Sequence, residues 1–134
     1  MSYSNNPTSI LAGTGITVTP TTGTGANTIT ISANGTTTLS VRIATATPVT
    51  VNAATDDVIS VQVSPRAPVA VTLPVGVLGA AFTIKDGLGL ANNPNPITIT
   101  PQVGGTIDGA ATATISAPYG ALTFIYDGTQ WLII

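Results

Sequence analysis

The chain of 134 residues contains no cysteine and no histidine, and its acidic residues are all aspartate. Without cysteine there are no disulfides and no thiolate metal sites, and the redox compartment cannot be read. Without histidine and glutamate, proton transfer is left to five aspartates, Lys85 or a tyrosine. Aromatic residues make up 4% and charged residues 6%. An ordinary globular domain carries about 25% charge. The net charge of -2 supplies no basic field, so neither nucleic acid nor an anionic membrane surface is expected as a partner. Apolar runs are short as well. The longest candidate, Val69 to Phe82, is cut by Thr72, Pro74, Gly76 and Gly79, well below the roughly 20 residues of a membrane-spanning helix. The polar, uncharged opening Met1 to Pro7 is not expected to act as a secretory signal.

These absences set a problem of solubility. Lys, Glu and Asp normally keep a surface in water, and here Thr, Ser and Asn take their place. Strands rich in Val, Ile and Thr with few charges pair edge to edge. The core is also short of bulk. It must be built from Val, Ile, Leu and Ala, with Phe82, Phe124, Tyr126 and Trp131 as its few large members. Each buried aliphatic side chain contributes about 1.5–3 kcal/mol, against about 1.5 kcal/mol of ordering cost per residue. Self-association hides edges and adds buried area, so an obligate oligomer is expected.

What is present is a β pattern. Short apolar–Thr runs recur about every 8–12 residues, as in sandwiches and barrels. The expected strands of the main domain are Leu39–Ala44, Val49–Val51, Val58–Val63, Val69–Leu73, Ala81–Asp86, Ile97–Thr100, Thr112–Ser116, Leu122–Tyr126 and Gln130–Ile134. Proline and glycine punctuate them. Asn92-Asn-Pro-Asn-Pro96 reads as a stiff loop. Asp108-Gly109 and Asp127-Gly128 read as tight hairpin turns. Upstream, Ile16–Thr19 and Thr28–Ser32 flank a Gly/Thr-rich connection and form an expected hairpin, with Asn34-Gly35 as a following turn. No amphipathic helix is visible. The expectation is an all-β protein: residues 1–34 form an N-terminal β-hairpin arm, and residues 35–134 form an antiparallel β-sandwich or jelly-roll-like domain.

Catalytic chemistry is poorly supplied. Asp86, Asp108 and Asp127 each precede glycine, which is turn chemistry. Asp56-Asp57 is the one carboxylate pair. A solvated loop is the expected setting, because Ca²⁺ takes 6–8 oxygen ligands and no loop here provides them. A glycosidase needs two placed carboxylates across a sugar, and a hydroxyl nucleophile needs an adjacent base. Neither is evident. The Gly-Xaa-Gly pairs at 13–15, 23–25 and 87–89 lack the Lys-Ser/Thr and the strand-to-helix setting of a phosphate loop. Tyr119, Tyr126 and Trp131 offer a sugar platform, but Trp131 sits in an alternating apolar strand and reads as core. Arg42 and Arg66, isolated in sequence, suit surface or inter-subunit ion pairs. No catalytic residue, metal site or cofactor is expected.

The phrase VTLP…FTIKDG…ITITP…GTIDGAAT…ISAPYGALTFIYDGTQWLII, from Val69 to Ile134, resembles the C-terminal β-domains of bacteriophage virion proteins, in tail fibres, spikes and head decorations. GTGITVTP…NTITISANG resembles short β-modules of phage fibre and spike proteins. The resemblance implies a non-enzymatic virion component. The favoured placement is a trimeric capsid decoration or cement protein that binds the major capsid protein across subunit junctions. The arm would dock, with Ile10, Leu11, Ile16 and Val18 supplying apolar contacts and Arg42 and Arg66 as further interface residues. A small chain with its own Met1, no fibre shaft and few aromatics suits that placement. The alternative is a tail fibre, spike or baseplate domain that binds a host-surface glycan.

Overall fold

Alternation of apolar residues with threonine fixes which side of a strand faces inward, because successive side chains point to opposite faces. A computed structural model of the chain describes residues 38–134 in full. Of the preceding segment it describes the backbone of 16–20 and 29–33. The chain divides into two compact units, Met1–Thr38 and Leu39–Ile134. In the first unit β1 (Ile16–Pro20) pairs antiparallel with β2 (Ile29–Ala33), Ile16 opposite Ala33 and Pro20 opposite Ile29. The expected turns at 21–27 and Asn34-Gly35 lie outside the described residues.

The second unit is all strand and turn. Its elements are β3 (Val41–Ala44), β4 (Val49–Thr50), β5 (Val58–Val61), β6 (Val69–Thr72), β7 (Ala81–Asp86), β8 (Ile97–Thr100), β9 (Ala113–Ile115), β10 (Ala121–Tyr126) and β11 (Trp131–Ile133). Each falls within a run expected from sequence or differs from it by a residue at an end. Two sheets result, neither closed into a barrel: a five-stranded sheet ordered β11-β10-β7-β5-β3 and a four-stranded sheet ordered β4-β6-β8-β9.

The expected antiparallel pairing is corrected. Both sheets are mixed. β3, β5 and β7 run parallel, with Val41 beside Val58 and Val58 beside Thr83. β4, β6 and β8 also run parallel, with Val49 beside Val71 and Val71 beside Ile99. Only β9, β10 and β11 join antiparallel. The reason lies in the connections. Parallel neighbours need a long crossover, usually a helix. Here each crossover carries a strand of the other sheet, so the chain alternates β3, β4, β5, β6, β7, β8 and stacks coil upon coil.

Both sheets contribute to one buried cluster. Ile59, Val61, Phe82, Ile84, Phe124 and Trp131 come from the larger sheet, and Val49, Val71, Ile97, Ile99, Ala113 and Ile115 from the smaller. The expectation of Trp131 as core holds: it is 1% exposed, with the rings of Tyr126 and Phe82 at 5.2 and 5.7 Å. Outward positions carry threonine instead of charge. In the smaller sheet Thr50, Thr72 and Thr100 line up across three neighbouring strands.

The Asp-Gly turns form as expected at two of three places. Ile107 and Ala110 exchange both backbone hydrogen bonds at 2.8 Å around Asp108 and Gly109, which take φ of 46° and 76°. The Asp127 carboxylate accepts the N–H groups of Thr129 and Gln130. Asp86 differs. It ends β7, and its buried carboxylate accepts N–H groups from Gly89, Leu90, Ala91 and Tyr119, tying the β7–β8 loop to the turn before β10.

Candidate interaction surface

A strand's backbone groups point alternately to its two neighbours, so a sheet edge carries a row of groups with no partner inside the sheet. The second unit has four such edges, at β11, β3, β4 and β9, and they are finished differently.

At β11 the edge is covered. Trp131 donates its N–H to the Thr106 carbonyl, and Asp108 donates to the Trp131 carbonyl, both at 2.9 Å. The Asp108 carboxylate accepts the Ile133 N–H at 3.3 Å. β9 is only three residues long, and short edges pair weakly.

At β4 the edge is blocked by a side chain. Val51 donates to Thr72 at 2.9 Å, which turns the Thr50 backbone groups outward. Arg42 Nη2 reaches across from β3 and donates to the Thr50 carbonyl at 3.0 Å. The same guanidinium forms a two-pronged pair with Asp56: Nε to Oδ1 at 2.9 Å and Nη2 to Oδ2 at 2.8 Å. Asn52 donates its N–H to Asp56 Oδ2 at 2.8 Å. The expectation of a solvated Asp56 is thus corrected, since the residue is 4% exposed. Burial pushes its carboxyl up. The hydrogen bonds from Arg42 and Asn52 and the arginine charge outweigh burial and hold it below the usual carboxylate range. The Asp56 hydrogen bond in turn raises Arg42 above its ordinary value. Asp57 points elsewhere and accepts the Ser40 N–H at 2.7 Å.

β3 is finished by nothing among the described residues. Val58 donates to the Ser40 carbonyl at 2.9 Å and Gln62 to the Ala44 carbonyl at 2.8 Å. Even-numbered positions therefore bond toward β5, and the N–H and C=O groups of Val41 and Ile43 face the open side. Their side chains are exposed too: Leu39 69%, Val41 61% and Ile43 59%. The result is an apolar strand edge whose one charged residue, Arg42, is paired with Asp56, the geometry that accepts an added strand.

The expected interface residues fall unevenly around this surface. Arg42 lies beside it, engaged within its own chain. Arg66 is exposed in the β5–β6 loop and is not on β3. Ile16 and Val18 lie on β1, whose backbone alone is described, and Ile10 and Leu11 lie outside the described residues. Leu39, Val41 and Ile43 were not singled out from sequence. Their i, i+2, i+4 spacing was visible, but the side of the sheet they occupy was not.

Other surfaces offer less chemistry. A cleft of about 230 Å³ is lined by Pro74, Val75, Pro101, Gln102, Tyr126 and Thr129. It is smaller than the roughly 300–1,000 Å³ of a typical ligand pocket. The Tyr126 ring lies against Gly76, where a Cβ would collide with it. Tyr119 is 63% exposed at φ 59°. It sits at the third position of the turn closed by the Gly120 N–H to the Ala117 carbonyl at 3.0 Å. Lys85 Nζ lies 5.6 Å from its ring centroid and donates to its carbonyl. Burial pushes the Asp86 carboxyl up, but its backbone N–H donors prevail and the carboxyl lies below its usual range. Among the described residues no three His, Cys, Asp or Glu side chains converge on a metal position, and no helix is long and apolar enough to cross a membrane. No known protein family matches the chain, and no curated protein matches it.

Proposed function

We propose that the chain is a non-enzymatic structural protein of a bacteriophage virion, and specifically a capsid decoration or cement protein. The observation that carries this reading is the open β3 edge. Backbone groups unpaired among the described residues and flanked by Leu39, Val41 and Ile43 suit permanent assembly better than turnover of a substrate. The resemblance of Val69–Ile134 to phage β-domains supplies the virion setting. On this reading the two sheets pack as a sandwich that stands outward from the head. Residues 1–34 form the docking arm, with Ile10, Leu11, Ile16 and Val18 against the major capsid protein, and the protein assembles as a homotrimer on the capsid surface. Binding only to the assembled lattice stabilises it by mass action. Heating particles made with and without the protein tests the cement role. Decorated heads should open at a higher temperature, and equal melting would remove the role.

A second reading, a tail fibre or spike domain, draws on Tyr119. An exposed aromatic ring on left-handed backbone beside Lys85 offers a stacking platform for a host glycan. Tight binding of the purified protein to host polysaccharide, lost in Tyr119→Gly, would favour it.

A further inference from the structure

We infer that the open edge of β3 is a self-recognition surface, on which a second copy of this chain adds its own β3 antiparallel about a two-fold axis. The inference does not depend on the virion reading, because it concerns the isolated chain.

Three observations lead to it. Among the described residues the edge is unfinished over the full length of its strand, whereas β9, the other edge with no covering group, is only three residues long. β4 is blocked by Arg42 and β11 is covered by 106–108. The edge is also free of uncompensated charge. Arg42, the cation on β3, is held by Asp56, and Asp57 is held by the Ser40 N–H. Two copies can therefore approach without like charges meeting.

Self-complementarity is the third. With the axis at Val41, Val41 meets Val41, and Leu39 of each copy meets Ile43 of the other. All the exposed apolar side chains then sit beside apolar partners on one face. On the opposite face Arg42 meets Ser40. A shift that places the axis at Arg42 sets the two arginines against each other and leaves Leu39 opposite Thr45. The pattern thus selects one register, which an isologous contact requires. In it the outward N–H and C=O groups of Val41 and Ile43 gain partners, and the two larger sheets become one continuous sheet. Such a two-fold contact is additional to any three-fold association and would join trimers in pairs.

The test is sedimentation equilibrium on the full chain, with hydrogen exchange as a second readout. Val41→Lys places two ammonium groups together at the axis and should halve the assembled mass. Val41→Pro removes one outward N–H while leaving the even-numbered bonds to β5 intact, and should do the same. The control Thr114→Lys, at the one exposed position of β9, should leave the mass unchanged. Circular dichroism should show strand content kept in all three. The amides of Val41 and Ile43 should become protected as concentration rises. The inference is overturned if the wild-type mass equals that of Val41→Lys. It also fails if those amides are protected at every concentration in a monomer, which would mean that another segment of the same chain covers the edge.

Discussion

The first coil and the last strands of the second unit handle the same problem, a sheet that must end, with different chemistry. At the β10–β11 side the chain folds back on itself. Antiparallel strands bring Phe124, Tyr126 and Trp131 into the core, and 106–108 closes the edge through the backbone. At the β3–β4 side there is no aromatic side chain. An arginine and a buried aspartate close the smaller sheet, and among the described residues the larger sheet is left open. One side is finished by bulk and backbone, the other by charge. A chain with so few charged residues places its best-paired two where no apolar group could satisfy the Thr50 carbonyl.

This contrast can be broken from either side. The largest effect is expected at the aromatic side. Trp131→Ala empties a fully buried site between Phe82 and Tyr126 and should cost about 3–5 kcal/mol, read as a shift of the denaturant midpoint. A loss below about 1 kcal/mol would mean that this side is not the stronger one.

Asp86→Ala comes next. It strips one acceptor from N–H groups at four residues in two loops. Only the bond from the Ala91 N–H is fully buried; a buried donor left unsatisfied costs about 1–3 kcal/mol and the part-buried ones less, so a total of about 3 kcal/mol is expected. Faster hydrogen exchange at Gly89, Ala91 and Tyr119 should accompany it.

The charged side is expected to be weaker and divisible. Arg42→Ala leaves Asp56 buried with its Asn52 and Thr55 contacts but no cation. Removing one partner of a fully buried pair costs about 3–5 kcal/mol. The Arg42 side chain is 37% exposed, so solvent screening lowers the expectation to about 1–2 kcal/mol. The double change Arg42→Met with Asp56→Leu should recover part of that loss. A double variant as unstable as the sum of the singles would show that the two residues do not act as a pair.

Acid should act on the same contrast. Asp56 and Asp86 both titrate below their ordinary range in the folded chain. Their contribution is therefore complete above the unfolded carboxyl value near 4 and is lost as pH falls through the lower folded values. The thermal midpoint should be flat from pH 7 to about 5 and fall below about 4. In Asp86→Asn the acid-dependent part should shrink. An unchanged profile would place the acid sensitivity elsewhere.

The smallest effect is expected at Tyr119, which occupies a left-handed turn position that glycine fills more easily. Tyr119→Gly should change stability by no more than about 1 kcal/mol, in either direction. A large loss would show that its ring supports the fold instead of offering a surface.

Much of this molecule was local in origin. The alternation of Val or Ile with Thr in Val69–Thr72 and Ile97–Thr100 fixed strand and inward face together, because side chains on extended backbone alternate whatever the strand pairs with. Asp108-Gly109 and Asp127-Gly128 fixed their turns, because left-handed backbone is a property of two residues. Trp131 was legible as core from its apolar neighbours. Tertiary structure decided what depends on partners distant in sequence. Whether β5 pairs with β3 or β6 is a choice among similar Val-rich runs, and the parallel answer came from crossovers that carry strands of the second sheet. Asp56 and Asp86 looked like loop and turn residues. Their burial rests on Arg42 and on the N–H groups of 89–91 and 119, which meet them only after the coils stack. The open edge at Val41 and Ile43 was invisible for the same reason: a strand becomes an edge only when the rest of the sheet has chosen its order.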